Sequence, residues 1–403
     1  MFNVDRKNQA SDIILRVLEN LDITPTQHEE AVKRYEAVGA WLCAEGSPLA
    51  RYQPEVAPQG SFKIGTVIKP WTNADLFDID LTIKFATSEF FHTQRELKTL
   101  LGARLIAHDT YKRMLDAEHR RCWRLIYAEN TRFHMDLVPA IPDNQFRLMS
   151  KGVPAQFCTD PLAITDNLHA EYDDLHANWP KSNMVGFSAW FIERMSYQLD
   201  LEKKAYALRE QMGVEQVKFY QVKTPLQRIV QLLKRHRDIM FEGDEDAPIS
   251  VIITTLAARA YDQYQNDDLY GTIISVTNRL RDKVEQKVVN GKTVYWISNP
   301  VNPDENFADK WEHCDRKRQL FFAWIERVER DFKEVLARPG IHRFTESLKG
   351  ILGGDVVSQA VNAQAQAIRL AREAGTLLVT PTTGVLNQIR GRRVPDHQNY
   401  GSK

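Results

Sequence analysis

PQGSFKIGTVIKP, residues 58–70, is followed at residues 75–83 by DLFDIDLTI. The spacing of Gly60, four residues, Gly65 and Thr66 imitates a P-loop, but no lysine stands between the second glycine and the hydroxyl residue. Without that point charge the Walker reading fails. The stretch fits another use of glycine and serine, in which a short turn offers a hydroxyl and backbone N–H groups to a triphosphate while metal ions carry most of the charge. The question is then whether metal ligands follow.

They do. In LFDIDLTI a strand sends alternate side chains to opposite faces, so Asp78 and Asp80 project from one face while Phe77, Ile79 and Leu81 can bury on the other. A second strand, RFHMDLVPAI, repeats the alternation with His134, Asp136 and Val138 set against Phe133, Met135 and Leu137. Three acidic residues on two neighbouring strands form an oxygen-lined cage suited to Mg²⁺, with Mn²⁺ as an alternative ion. A two-metal site needs ions about 3.5–4 Å apart, one activating a hydroxyl and one stabilising a leaving pyrophosphate. Asp78 and Asp80 can bridge both ions, and Asp136 can bind the ion beside the acceptor hydroxyl and take its proton. A lone Asp-x-Asp is commonly a turn or strand-edge pair; the upstream Gly60-Ser61 turn and the third aspartate favour the metal. Asp75 is out of step with Asp78 and Asp80 and reads as a turn residue, His134 as a hydrogen-bonded strand histidine, and Lys69 as a surface lysine.

The bulk properties bound the function. The chain has 403 residues, 43% of them hydrophobic and 26% charged, which suits two domains or one bilobed unit. Lys plus Arg and Asp plus Glu are both 53, so no global excess of positive charge exists to coat a long nucleic acid. Cys43, Cys122, Cys158 and Cys314 show no zinc spacing and read as incidental thiols. The opening MFNVDRKNQASD carries charge where a signal peptide needs an apolar run, and no apolar stretch reaches membrane-spanning length. A cytoplasmic location is expected.

Periodicity divides the chain. SDIILRVLENLD (11–22) places Ile14, Leu15, Leu18 and Leu21 on one helical stripe, and Thr24-Pro25-Thr26-Gln27 is a capping box opening a second helix that stops near Gly46 and Pro48. From Gly60 to about residue 145 the strand period dominates, interrupted by a helix in TQRELKTLLGARLIAH (93–108). After residue 160 the helical period returns in 183–212, 224–241, 249–264, 271–288, 317–337 and 356–375. Residues 380–403 are polar and turn-rich, which predicts a loosely held tail.

Gly60-Ser61, Asp78-x-Asp80 and a later-strand Asp136 resemble the signature of the polymerase-β-type nucleotidyltransferases. The string GSFKIGTVIKP…DIDL, with HMDLVPAI, TPLQRIVQLLKRHRD, PISVIITTLAA and NPVNPDENFADKW, is similar to the bacterial cGAS/DncV-like nucleotidyltransferases, the CD-NTases, over about residues 55–315. The resemblance implies an α+β fold: a polymerase-β-like core with a mixed sheet packed against a helical lobe in a bilobed cage. The expected division is 1–50 for N-terminal helices bridging the lobes, 51–160 for the catalytic core, 161–375 for the helical lobe and 376–403 for a flexible C-terminal tail.

By motif, the resemblance places Gly60 and Ser61 at the donor's γ-phosphate and gives the two metal ions to Asp78, Asp80 and Asp136. It sets Lys234 and Ser250 near the same triphosphate. On residue type alone, Lys234 reads equally as part of a solvated basic helix face and Ser250 as an N-cap. Asn299, Asn302 and Asn306 read as a structural turn before a helix.

The activity implied is template-independent joining of nucleoside triphosphates, ATP alone or with GTP or a pyrimidine nucleotide, into a cyclic di- or trinucleotide second messenger of anti-phage signalling. A nucleotide-activated effector is the implied downstream partner. The resemblance also implies, for some members, an activating partner that conjugates the C-terminus; for the tail ending HQNYGSK plain disorder is the preferred reading. Two rivals stand beside this: nucleotidyl transfer to RNA, a small molecule or a protein, and a silent nucleotide-binding scaffold.

Overall fold

The computed structural model describes residues 4–70, 72, 76–127, 132–265, 268–289, 291–338, 340–379, 386–387 and 392–394. Helix α1 (Val4–Leu21) opens it, and α2 (Pro25–Cys43) starts at the expected box: the Thr24 hydroxyl accepts from the Gln27 N–H and the Gln27 side chain from the Thr24 N–H. The α1 stripe is rotated from the expected one. Ile13, Ile14, Val17, Leu18 and Leu21 are fully buried, whereas Leu15 is 37% exposed.

Strand β1 (Glu55–Gln59) runs into a single helical turn, α3 (Gly60–Lys63), and β2 (Phe77–Lys84) follows. Helices α4 (Gln94–Ile106) and α5 (Asp109–Met114) lead to β3 (Trp123–Tyr127) and β4 (Phe133–Pro142). A short α6 (Gln145–Met149), then β5 (Leu162–Ile164) and β6 (Lys181–Ser182), complete the half. The six strands form one mixed sheet in the order β1-β2-β4-β5-β6, with β3 also on β4. The β2–β4 pair is parallel and the other pairs are antiparallel. β1 is an edge strand, where Pro58 can sit without a ladder hydrogen bond; its mixed composition hid it from the period-2 reading.

The second half is helical as expected: α7 (Met184–Glu193), α8 (Ser196–Glu210), α9 (Pro225–Phe241), α10 (Ser250–Ala260) and α11 (Leu269–Thr277). Hairpin β7 (Glu285–Val289) and β8 (Lys292–Trp296) and the smaller β9 (Ser298–Asn299) and β10 (Asn302–Asn306) interrupt it before α12 (Asp315–Ala337), α13 (Ile341–Leu352) and α14 (Gly354–Glu373).

Two expectations change here. The helix over 183–212 breaks at Arg194–Met195, because the Arg194 guanidinium donates to the Ala258 and Tyr261 carbonyls while Met195 turns into the core with a non-helical φ of −128°. The helix over 271–288 ends at Thr277, and its last residues join β7, whose partner begins just past Gly291 at φ +76°. Asn290-Gly291 between alternating strands is a hairpin signal that helical periodicity obscured.

Two cores result. One face of the sheet packs Phe77, Ile79, Leu81, Phe133, Met135 and Leu137 against α2 and α4. The other core gathers α1 with α9 to α14. The junction of α1 and α2 at Asp22–Thr24 therefore passes from the helical core to the sheet core. Of the expected tail, Leu378–Val379, Leu386–Asn387 and Arg392–Arg393 pair as a small antiparallel sheet; the HQNYGSK end, like Asp75, lies outside the described residues.

Candidate active site

The parallel register of β2 on β4 sets Asp80 directly opposite Asp136, and Asp78 opposite His134. Because side chains alternate on both strands and the apolar set is buried beneath, all four polar groups share the other face. Sequence alternation placed them on a face; the register brings them together.

Each carboxylate has its own surroundings. Asp136 accepts two hydrogen bonds from Arg124, Nε at 2.7 Å and Nη2 at 2.8 Å, because β3 aligns those two residues as cross-strand partners. That fork holds the guanidinium charged, with its pKa above the ordinary arginine value, first through the Asp136 hydrogen bond. Asp78 meets the His134 Nε2. Desolvation in the cleft raises Asp78 and lowers His134, so withdrawal from water pushes both toward their neutral forms. Asp80 is pushed up to about 7, by desolvation and then by the negative charges of Asp78 and Asp136. Like charges gathered on one sheet face favour the approach of a cation.

The Gly60 turn closes onto the same carboxylate. Gln59 is the register partner of Asp80, Gly60 has φ +60°, and a Cβ on it would run into the Asp80 carboxylate. Glycine is required on both counts. Gly65 is constrained likewise, at φ +69° with Gln227 and Lys223 packed where a Cβ would stand. Ser61, on the turn between them, lines a cavity of about 420 Å³ together with Asp78, Lys234, Arg237, Asp238 and Ser250. A larger cavity of about 640 Å³, walled by His28, Tyr35, Phe62, Tyr220 and Lys223, lies beside the same turn but contains none of the three aspartates.

Lys234 is not on a solvated face. It is 5% exposed, its Nζ donates to the Thr66 carbonyl at 3.0 Å, and burial pushes its pKa down to about 7. Ser250 is the first residue of α10 rather than its N-cap, which is Ile249 with no side-chain cap bond. The Ser250 hydroxyl accepts from Arg237 Nη1 at 3.0 Å. Sequence reasoning missed both arginines. Arg237 lies three residues after Lys234 on one helix, and Arg124 is a charge within an otherwise apolar strand.

The secondary candidates fall as follows. His134 is a paired strand histidine, as expected. Lys69 is half-buried and donates to the Asn20 carbonyl at 3.2 Å instead of standing on the surface. Asn299, Asn302 and Asn306 are buried and tie their own loop together: Asn299 donates to Glu305, and Asn306 accepts from the Ile297 and Ala308 N–H groups. Their role is structural.

Among the described residues, no three His, Cys, Asp or Glu side chains converge as a ready metal cluster, since Asp136 is turned to Arg124 and Asp78 to His134. The donor set nevertheless fits a hard divalent cation: three carboxylates on adjacent strand positions, one pushed up to about 7 by desolvation and then by the charge of the others.

The family profile for the nucleotidyltransferase domain of DncV-like cyclic GMP-AMP synthases matches residues 54–139, the segment holding Gly60, Ser61 and all three aspartates. Over that segment the chain is similar to the DncV-like nucleotidyltransferases. The chain is 27% identical over 382 residues to a c-di-GMP synthase of Roseivirga ehrenbergii, covering 94% of this chain and 93% of that protein. It is 23% identical to the cyclic dinucleotide synthase CdnG of Bradyrhizobium diazoefficiens, over 90% of this chain and 84% of that one. The solved structure of CdnG in complex with GTP superposes with a TM-score of 0.65 at 21% identity, over 89% of this chain and 99% of that one. The E. coli CdnC structure with ATP gives 0.57 at 13% identity, over 85% and 97%. The expected α+β architecture is the observed one.

Proposed function

We propose that this nucleotidyltransferase joins nucleoside triphosphates without a template into a cyclic di- or trinucleotide. One observation carries the reading: Asp80 and Asp136 face each other across a parallel pair, the Gly60-Ser61 turn abuts Asp80, and Ser61 and Asp78 line a 420 Å³ cavity. The names of the two relatives support it and make GTP the first substrate to test.

Asp78, Asp80 and Asp136 would hold two Mg²⁺ or Mn²⁺ ions, which when bound activate the hydroxyl nucleophile and neutralise the leaving pyrophosphate. The chain's own groups do the rest. The Ser61 hydroxyl and the turn's N–H groups orient the terminal phosphate, with Arg237 supplying positive charge along the cavity wall and a bound triphosphate favouring the charged form of Lys234 beside it. The ribose hydroxyl oxygen bonds to the α-phosphorus, the bond from that phosphorus to pyrophosphate breaks, and the hydroxyl proton passes to Asp136. A second round on the linear product closes the ring. Such a product serves as a second messenger in anti-phage signalling, read by a nucleotide-activated effector in the cytoplasm, with C-terminal conjugation as one route of activation.

The test is incubation of the purified protein with all four NTPs and Mg²⁺, phosphatase treatment and mass spectrometry, with Asp78→Ala/Asp80→Ala as control. A phosphatase-resistant cyclic product that vanishes in the double variant supports the reading. Pyrophosphate released without it would redirect attention to an RNA, protein or small-molecule acceptor.

A further inference from the structure

The segment after the Ser61 turn pairs with no strand, yet its carbonyls are held almost continuously by side chains from α9 and the residue preceding its cap. Gln227 Nε2 donates to the Ile64 carbonyl at 2.9 Å, Lys223 Nζ to Gly65 at 2.6 Å and Lys234 Nζ to Thr66 at 3.0 Å. Gln231 Nε2 donates to Val67 at 2.9 Å and Arg235 Nη2 to Lys69 at 2.6 Å. Gln227 and Gln231 are fully buried.

Both glutamines do double duty. Gln227 closes the α9 capping box, its Oε1 accepting from the Thr224 N–H at 2.8 Å, while its amide pins the turn. Gln231 Nε2 also donates to Asp22 Oδ1 at 2.6 Å, and Asp22 accepts from Arg228 at 2.6 Å through its other oxygen. The Lys69 N–H donates to the Leu21 carbonyl at 2.7 Å. One buried amide thus joins the catalytic turn, the α1–α2 junction and α9.

Apolar side chains of similar volume would fill this space without the cost of burying amides; what the amides add is direction. The helix that carries Lys234 and Arg237 on the cavity wall is the one to which the turn is fastened. We propose that Gln227 and Gln231, which do not line the cavity, are positioning residues for nucleotide binding: they fix the Ser61 turn relative to the α9 cations so that both meet one triphosphate. This rests on the nucleotidyltransferase reading above.

The test compares Gln231→Met and Gln227→Met with His236→Asn. His236 is equally buried on the same helix but pairs with Asp331 of α12 instead of the turn. Two quantities are read: amide hydrogen exchange of residues 60–69, and the Kd and KM for GTP and its non-hydrolysable analogue with Mg²⁺. Losing the glutamine's buried hydrogen bonds should speed exchange in the turn and weaken nucleotide binding by about tenfold or more, with kcat largely kept. His236→Asn should lower thermal stability while leaving turn exchange and Kd unchanged. Where Gln231→Met does not fold, Gln231→Asn, which withdraws the amide by one methylene, should give the same signature. The proposal is overturned if the glutamine variants leave turn exchange and Kd unchanged, or if His236→Asn shifts them equally. Exchange needs no turnover, so a wild-type chain that makes no nucleotide product would sink the synthase reading while this one is still decided by the turn.

Discussion

Arg124 occupies both oxygens of Asp136, which makes it the counter-charge a cation would replace. Arg124→Gln should therefore cost the metal-free protein about 1–3 kcal/mol, since it leaves a half-buried carboxylate unpaired. Mg²⁺ should recover more stability in the variant than in the wild type, read as the difference in thermal midpoint with and without the ion; equal recovery would assign Arg124 no share in the metal's place. Lys223 supplies a pH signature away from the aspartates. Burial pushes its pKa down to about 8, opposed by Asp22, with the charge of Arg228 adding to the lowering. Between about 8 and the unfolded value of 10.5 the native state binds fewer protons than the unfolded one, so this group makes stability rise with pH across that window. The contribution reaches about 3 kcal/mol at most, and Lys223→Met should remove it, checked by urea midpoints at pH 7.5 and 9.5.

The two capping boxes are alike in sequence and unlike in consequence. Thr24 opens α2 at an exposed site, so Thr24→Ala should cost about 1 kcal/mol and leave nucleotide binding alone. Thr224 opens α9 in full burial, and its partner Gln227 also reaches the Ile64 carbonyl. Thr224→Ala should cost more than its counterpart and raise KM for the nucleotide, measured by thermal unfolding and steady-state kinetics; identical effects would mean the α9 cap is only a cap. The first box was read from the sequence; the second has the same local chemistry, but its tertiary use came from a segment some 160 residues away in the chain. The same holds for the helices: the stripe of α1 was visible, but its rotation, burying Ile13 and Val17 and exposing Leu15, follows from α9 and α14 packing on it.

The cavity proposed for the nucleotide joins the α3 turn and β2, through Ser61 and Asp78, to α9 and α10, through Lys234, Arg237 and Ser250. A triphosphate bound there with Mg²⁺ touches both cores and should stabilise them together. At a hundred times Kd the gain is about 2.7 kcal/mol by mass action, seen as a rise in thermal midpoint with a non-hydrolysable analogue. EDTA should abolish both that rise and product formation, and added Mg²⁺ should restore them; product that survived chelation would rule out the two-ion reading of the aspartates.

What the sequence determined alone was everything carried by short-range pattern: the alternation that put Asp78, Asp80 and Asp136 opposite apolar partners, the glycine turn before them, the Thr24 capping box and most helices. Backbone periodicity and cap chemistry act within a few residues, so they can be read without the fold. Tertiary structure decided the rest. The parallel register facing Asp80 with Asp136, the Arg124 fork, the burial of Lys234 and the fastening of the turn to α9 all join segments far apart in the chain. Charge state and hydrogen-bond partner depend on which surfaces meet and how much water they exclude, and no local pattern encodes that.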